Sequence, residues 1–278
     1  MTSNLRLGLV PYANVLPLME GLESRFPQEN WLRATPRELA GLLAQGAIDA
    51  ATLPIFEALR TPGYRLVPGC AIASDGPVRS VALFSVKPLR DVRSILLDRS
   101  SLTSVNLARI LCAEHLRIEP YYELSAAPIP SAFDLHASGH DAAVVIGDNA
   151  LAWERRGFPH VLDFGTAWKA LTGLPFVYAA WIVRPGVELA PEDLRAFVEA
   201  RRNGEQDVYA IARRETSDPA ALMDLVEYLS RSIHYRLGPE HLRAIDLFRR
   251  KLIHHGLIPS DTAPLPSIPV PAGISVED

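Results

Sequence analysis

The sequence predicts an α/β protein of two lobes joined by two crossings, with a mainly parallel sheet in each lobe and a cleft between them. Three observations predict it. Short apolar runs alternate with amphipathic stretches, the pattern of helices covering a parallel sheet. Two strong strand-like runs, 78–86 (VRSVALFSV) and 176–183 (FVYAAWIV), divide the remaining strands into two groups. The chain has 278 residues, enough for two lobes of ordinary domain size. On this pattern the first lobe is discontinuous, 1–88 plus 177–278, and the second spans 89–176.

Residues 5–10 (LRLGLV) form a short apolar run closed by Pro11, the mark of a buried strand. A loop through Tyr12, Ala13 and Asn14 leads into a helix over 15–22, with Pro17 in its first turn. Thr35, Pro36 and Glu38 spell a helix start: a hydroxyl cap, proline at the first helical position and glutamate three after the cap. Leu39, Leu42 and Leu43 give the apolar stripe, and Gly46 ends it. Further short strands are expected at 49–53, 66–73, 94–98 and 141–146, with a helix after 104. The run 78–86 reads as a strand with Val78, Ser80, Ala82 and Phe84 on one face. Beyond Arg184 the pattern is helical to about residue 257, followed by a proline-rich tail over 259–271.

Composition excludes several classes. With 28 Lys+Arg against 32 Asp+Glu the net charge is -4, without the basic excess of a nucleic-acid binder. No GxGxxG or GxxxxGK[ST] pattern supports a nucleotide cofactor, and no GxSxG elbow is present. Cys70 and Cys112 accompany no CxxC or Cys/His cluster, so they read as unpaired buried thiols and no metal is expected. No run approaches the roughly 20 apolar residues of a membrane helix. The opening lacks the basic, apolar and small-residue pattern of a secretory leader, so a cytoplasmic location is expected.

In such sheets ligands bind beyond the carboxyl ends of strands, which directs attention to the loops there. Ser100, Ser101, Thr103 and Ser104 precede a helix and can converge on a carboxylate at its positive end; one of them capping the helix is the plainer role. Asn14 can donate to a substrate oxygen or make a local turn bond. Ser80, a hydroxyl in a strand, can face the cleft or bond a neighbouring backbone group. Asp148 can serve as base, ligand contact or helix cap. Gly173, Leu174, Pro175 and Phe176 can wall an aromatic ligand, Gly173 through close backbone approach, or form a structural turn.

Together these segments resemble the chorismate dehydratases. Residues 8–18 (GLVPYANVLPL) are similar to that family's opening, which reads Tyr-Leu-Asn-Thr-Lys-Pro-Leu where this chain has Tyr12 to Leu18. Similar blocks follow in order at 49–54 (DAATLP), 74–85 (SDGPVRSVALFS), 97–107 (LDRSSLTSVNL), 146–151 (IGDNAL) and 163–181 (DFGTAWKALTGLPFVYAAW). Tyr228, Leu229 and 233–237 continue the likeness into the helical end. The departures are Ala13, Val15 and Leu16, which replace the usual Leu, Thr and Lys; Asn14 is kept.

The resemblance implies a type 2 periplasmic-binding-protein-like fold and loss of water from chorismate to give 3-[(1-carboxyvinyl)oxy]benzoate, without a cofactor. The ring loses its C4 hydroxyl and its C3 hydrogen and becomes aromatic. It implies Asn14 and Ser80 at the reacting centre, and Tyr12, Ser101, Thr103, Ser104, Asp148, Gly173, Leu174, Pro175 and Phe176 as substrate contacts. A small-molecule partner is thus expected, with neither nucleic acid nor membrane. The competing readings are the dihydroxynaphthoate synthase of the same pathway, which shares the fold, and a binding protein without chemistry.

Overall fold

The computed structural model describes residues 2–276. The chain runs β1 (Leu7–Leu9), β2 (Trp31–Arg33), α1 (Pro36–Ala44), β3 (Ala50–Pro54), α2 (Ile55–Arg60) and β4 (Arg65–Ser74), then crosses. The second half-structure comprises β5 (Val81–Ser85), β6 (Ser94–Leu97), α3 (Thr103–Leu111), β7 (Tyr121–Leu124), β8 (Ala142–Ile146), α4 (Gly147–Arg155), β9 (His160–Asp163) and α5 (Phe164–Thr172). The chain then returns as β10 (Phe176–Val183) and ends in α6 (Pro191–Gln206), α7 (Val208–Glu215), α8 (Pro219–Glu227) and α9 (Pro239–His254).

Two five-stranded sheets result, ordered β2-β1-β3-β10-β4 and β7-β6-β8-β5-β9. Each sheet is mainly parallel, as expected, with four strands running one way and a single strand reversed. β1 pairs in parallel with β2 and β3, and β6 with β7 and β8. β10 pairs antiparallel with β3 and β4, and β5 antiparallel with β8 and β9. The reason is topological. Strands β1, β3, β4, β6 and β8 end at the cleft, whereas β5 and β10 have just crossed it and so begin there.

The strand expected over 78–86 starts only at Val81, and Ser80 therefore lies before the strand. Arg79 adopts φ 62, a left-handed conformation that breaks the extension, and its N–H is held by Asp163. β5 pairs with the second sheet, so the segment to residue 88 does not all belong with the first. We propose that the two crossings are 75–80 and 164–175.

Local sequence signals explain several elements. Thr35 Oγ1 accepts from the Glu38 N–H while Glu38 returns a bond to the Thr35 N–H, the reciprocal cap its spacing predicted. The helix expected over 15–22 is instead a 3-10 helix, Ala13–Met19, with Pro17 inside it. The proline-rich tail lies against β4: Leu66 N–H donates to Pro266 O, and Ile268 N–H to Leu66 O. It thereby covers an otherwise open sheet edge. Cys70 and Cys112 are buried and unpaired. Among the described residues no helix is long and apolar enough to cross a membrane.

Candidate active site

The strand ends meet in a cleft that is open at its mouth. Val10, Pro54, Ile72, Tyr178 and Ala179 line it from the first sheet's side, and Val81, Leu102, Ile146 and Gly147 from the second's. Polar groups are few: Tyr12, Asn14, Ser101, Thr103 and Ser104. The described lining contains no Lys, Arg, His, Asp or Glu. Such a wall can grip an apolar ring and donate hydrogen bonds through amides and hydroxyls; it offers no imidazole, thiolate or carboxylate set for a metal.

Asn14 sits in the first turn of the 3-10 helix after β1, and Gly204 of α6 presses that helix from behind at Pro17. A Cβ on Gly204 would lie 1.9 Å from Pro17 O, so only glycine lets α6 support it so closely. Asn14 Oδ1 is buried and makes no hydrogen bond.

Ser80, 1 % exposed, likewise leaves its hydroxyl without a partner. Its carbonyl accepts from the Gly147 N–H, placing it just behind the wall made by Val81 and Gly147. The segment carrying Ser80 is fixed by Asp163, whose carboxylate accepts from the N–H groups of Val78, Arg79 and Thr166 at 2.7–3.2 Å. Arg79 then reaches Glu154 at 2.8 Å and Asp224 at 2.6 Å, joining the crossing to both helical layers. These carboxylates, Glu154 first, hold the guanidinium charged against the cost of its burial.

At the start of α3 the hydroxyls divide their tasks. Thr103 Oγ1 donates to Tyr178 O at 3.1 Å and accepts from the Phe56 N–H at 3.2 Å, stitching the two lobes together. Ser101 Oγ accepts from the Ser104 N–H, which leaves its own proton free to donate. Ser100 donates to Asp98 at 2.6 Å, and Asp98 also accepts from the Ile129 N–H. Burial raises the Asp98 pKa, with these bonds opposing. The Tyr12 phenol lies beside Ser100, and burial raises its pKa too.

Opposite stands the start of α4. Gly147 has φ +62, and a Cβ there would sit 2.9 Å from the Tyr12 ring, so glycine is required twice over. Asp148 accepts from the Ala13 N–H at 3.3 Å, a contact between lobes. The residue is exposed, yet the protein crowding its carboxyl raises the pKa. Two helix N-termini, those of α3 and α4, thus face one cleft, an arrangement that favours an anion.

The residues 173–176 lie outside the cleft wall. Gly173 caps α5 with φ 73, Pro175 O accepts from Trp168 Nε1, and Phe176 packs edge-on against Trp168, Tyr178 and Phe248 at 4.9–5.1 Å. Here the segment forms a structural turn, with Phe176 packed in the core. Two residues escaped sequence reasoning. Tyr178 lines the cleft from β10, where a phenol in an apolar strand was the available signal. Tyr228 lies fully buried beside Ser80 and Asn14, with only its position in a similar block to mark it.

The sequence model of a family described as menaquinone biosynthesis matches residues 5–254. The chain is 31% identical over 226 residues to the chorismate dehydratase of Thermus thermophilus, covering 75% of this chain and 80% of that protein. Among solved structures it is similar to protein AF1704 of Archaeoglobus fulgidus, with TM-score 0.68, 15% identity, and 93% and 100% of the two chains covered. It is also similar to the periplasmic aliphatic sulphonate binding protein SsuA of Escherichia coli, with TM-score 0.58, 16% identity, and 92% and 93% covered. These likenesses establish the fold as the two-lobed periplasmic-binding-protein type. With its sequence matched over residues 5–254, the chain belongs to the menaquinone biosynthesis family.

Proposed function

We propose that this protein is a chorismate dehydratase, an enzyme that eliminates water from chorismate to give 3-[(1-carboxyvinyl)oxy]benzoate. One observation carries the reading. In a chain similar to such a dehydratase, the Asn14 amide of the cleft wall and the Ser80 hydroxyl just behind it both lie beside Tyr228, each with a buried oxygen that makes no hydrogen bond, and no charged group is in the wall. Unsatisfied buried polar atoms cost stability and so point to a ligand that completes them.

In this reading the substrate's carboxylates meet the start of α3, through Ser101, Ser104 and the free backbone N–H groups. Val10, Ile72, Val81 and Ile146 grip the ring. Asn14, through its Nδ2 amide N–H, and Ser80, through its hydroxyl, donate to the departing C4 hydroxyl, stabilising charge as it develops. Aromatisation supplies the driving force. The C3 proton passes to the substrate's own enolpyruvyl carboxylate, which the cleft holds close; hydroxide and proton leave together as one water. Asp148, beside the cleft at the start of α4, is the alternative proton acceptor. We infer a cytoplasmic site of action from the biosynthetic family.

Dialysed protein mixed with chorismate tests the function, with products separated by chromatography and weighed. The reading expects a product lighter by one water without any added cofactor. Unchanged chorismate from folded protein would reject it and favour the binding role of the sulphonate-binding relative. Asp148→Asn is expected to keep most of kcat; a large loss at unchanged substrate affinity would move the base onto the protein.

A further inference from the structure

Three polar atoms come together behind the cleft wall. Asn14 Oδ1, Ser80 Oγ and the Tyr228 hydroxyl are each buried, and none completes a hydrogen bond. The Tyr228 phenol is nevertheless close enough to both Ser80 and Asn14 to feel their dipoles, Ser80 more strongly. Three unsatisfied groups side by side are costly in a protein interior, where unpaired polar atoms are rare. Their neighbours could have supplied partners, yet the packing stops short.

Tyr228 also stands at an irregular point of the backbone. It opens the π-helical turn Tyr228–Ser232 directly after α8, a wide turn of the kind that recurs at functional sites. Its ring is 0% exposed, so it does not line the open cleft. Burial raises its pKa, which keeps the phenol neutral and a proton donor across ordinary pH.

We propose that Tyr228 is a positioning residue for the dehydration, its hydroxyl donating to Ser80 Oγ so that the Ser80 proton turns toward the departing oxygen of the substrate. This rests on the reading of Asn14 and Ser80 as the donors that meet the C4 hydroxyl. A serine hydroxyl rotates freely and can donate once. Filling its acceptor side from Tyr228 selects the rotamer that aims the proton at the substrate, and Asn14 completes the set from the other side.

Tyr228→Phe removes the hydroxyl and keeps the ring. The test measures kcat, KM and the urea midpoint for the wild type, Tyr228→Phe, Ser80→Ala, their double variant and Tyr235→Phe. Tyr235 is a comparator, a second fully buried phenol without a partner that Asn14 and Ser80 do not adjoin. The expected result is a kcat lowered by at least about tenfold in Tyr228→Phe, as for a reacting group slightly misplaced. KM and the urea midpoint stay near wild type, because in the ligand-free protein the buried Tyr228 hydroxyl has no partner to lose and its bond to Ser80 acts only when substrate is bound. Tyr235→Phe keeps wild-type kcat. In the Ser80→Ala background Tyr228→Phe adds no further loss, since its effect passes through Ser80.

A Tyr228→Phe kcat within twofold of an active wild type overturns the inference alone. So does a fall in midpoint matched by an equal slowing in Tyr235→Phe, which would make both hydroxyls structural. So does a strictly additive double variant. A wild type that leaves chorismate unchanged overturns this inference together with the proposed function.

Discussion

Gly147→Ala probes how the two lobes meet over the substrate. Alanine must adopt φ +62 there, which costs about 1–2 kcal/mol for a residue with a Cβ. The new methyl would stand 2.9, 3.1 and 3.3 Å from three atoms of the Tyr12 ring, closer than packed carbons tolerate. Tyr12 cannot easily retreat, because its ring packs against the core and its hydroxyl lies beside Ser100. Against a total stability of about 5–15 kcal/mol, the backbone strain alone is a visible fraction. The ring's displacement should also reach Asn14, two residues on, and raise KM for chorismate. Urea titration and steady-state turnover read the two effects separately. Tyr12→Ala in the same chain relieves the clash and leaves only the backbone cost, so the double variant should lose less than the sum of the singles. A Gly147→Ala protein with wild-type midpoint and KM, or a strictly additive double, would refute this account of the lobe contact.

Asp49 accepts four bonds from Arg6 and Arg184 at 2.7–3.0 Å. Burial pushes its pKa up, but those bonds outweigh it and bring the carboxyl down to about 2 from 3.8. A depressed pKa means stability present above the ordinary value and lost as pH falls through about 2. The wild type should therefore lose about 2 kcal/mol between pH 4 and 2 that Asp49→Asn does not; parallel urea midpoints over that window would contradict it. Asp163→Ala frees the N–H groups of Val78, Arg79 and Thr166. It should cost about 1–2 kcal/mol as a lost cap and also slow turnover, because the freed segment carries Ser80; a stability loss at full kcat would separate the crossing from the site. Thr103→Val strands the buried Phe56 N–H, costing about 1–3 kcal/mol. Since that hydroxyl is already committed to the lobe contact, KM should stay within a few-fold of wild type, and a KM rise without loss of stability would return Thr103 to the substrate.

What could be read from the sequence was what local chemistry decides. The Thr35-Pro36-Glu38 cap needs only four consecutive residues, and β10 announces itself by eight β-forming or apolar ones. The strands β2, β7 and β9 escaped notice: at three or four residues, edge strands carry no period long enough to detect. The antiparallel entries of β5 and β10 follow from where the chain crosses the cleft, which no local pattern records. In the site, Asn14 and the 101–104 hydroxyls were legible because loops at strand ends are where such sheets bind ligands. Their division of labour was not. Thr103 is occupied by Phe56 and Tyr178, 47 and 75 residues away. Ser80 looked like a strand residue because its neighbours are β-formers, and only Asp163, far along the chain, shows why the strand begins after it. Phe176 looked like a ligand wall for the same local reason that makes it a good core residue: a flat apolar ring packs equally well on either.

If the buried groups Asn14 and Ser80 carry the elimination, removing either must slow the loss of water itself. Quenched single-turnover rates on chorismate, measured for Asn14→Ala and Ser80→Ala beside the wild type with substrate saturating, test it most directly. Each variant should still bind chorismate and stay folded but lose about 10²–10³-fold in the rate of water loss, the cost of removing one well-placed donor. Variants that dehydrate chorismate at the wild-type rate would contradict it and place the chemistry elsewhere in the cleft.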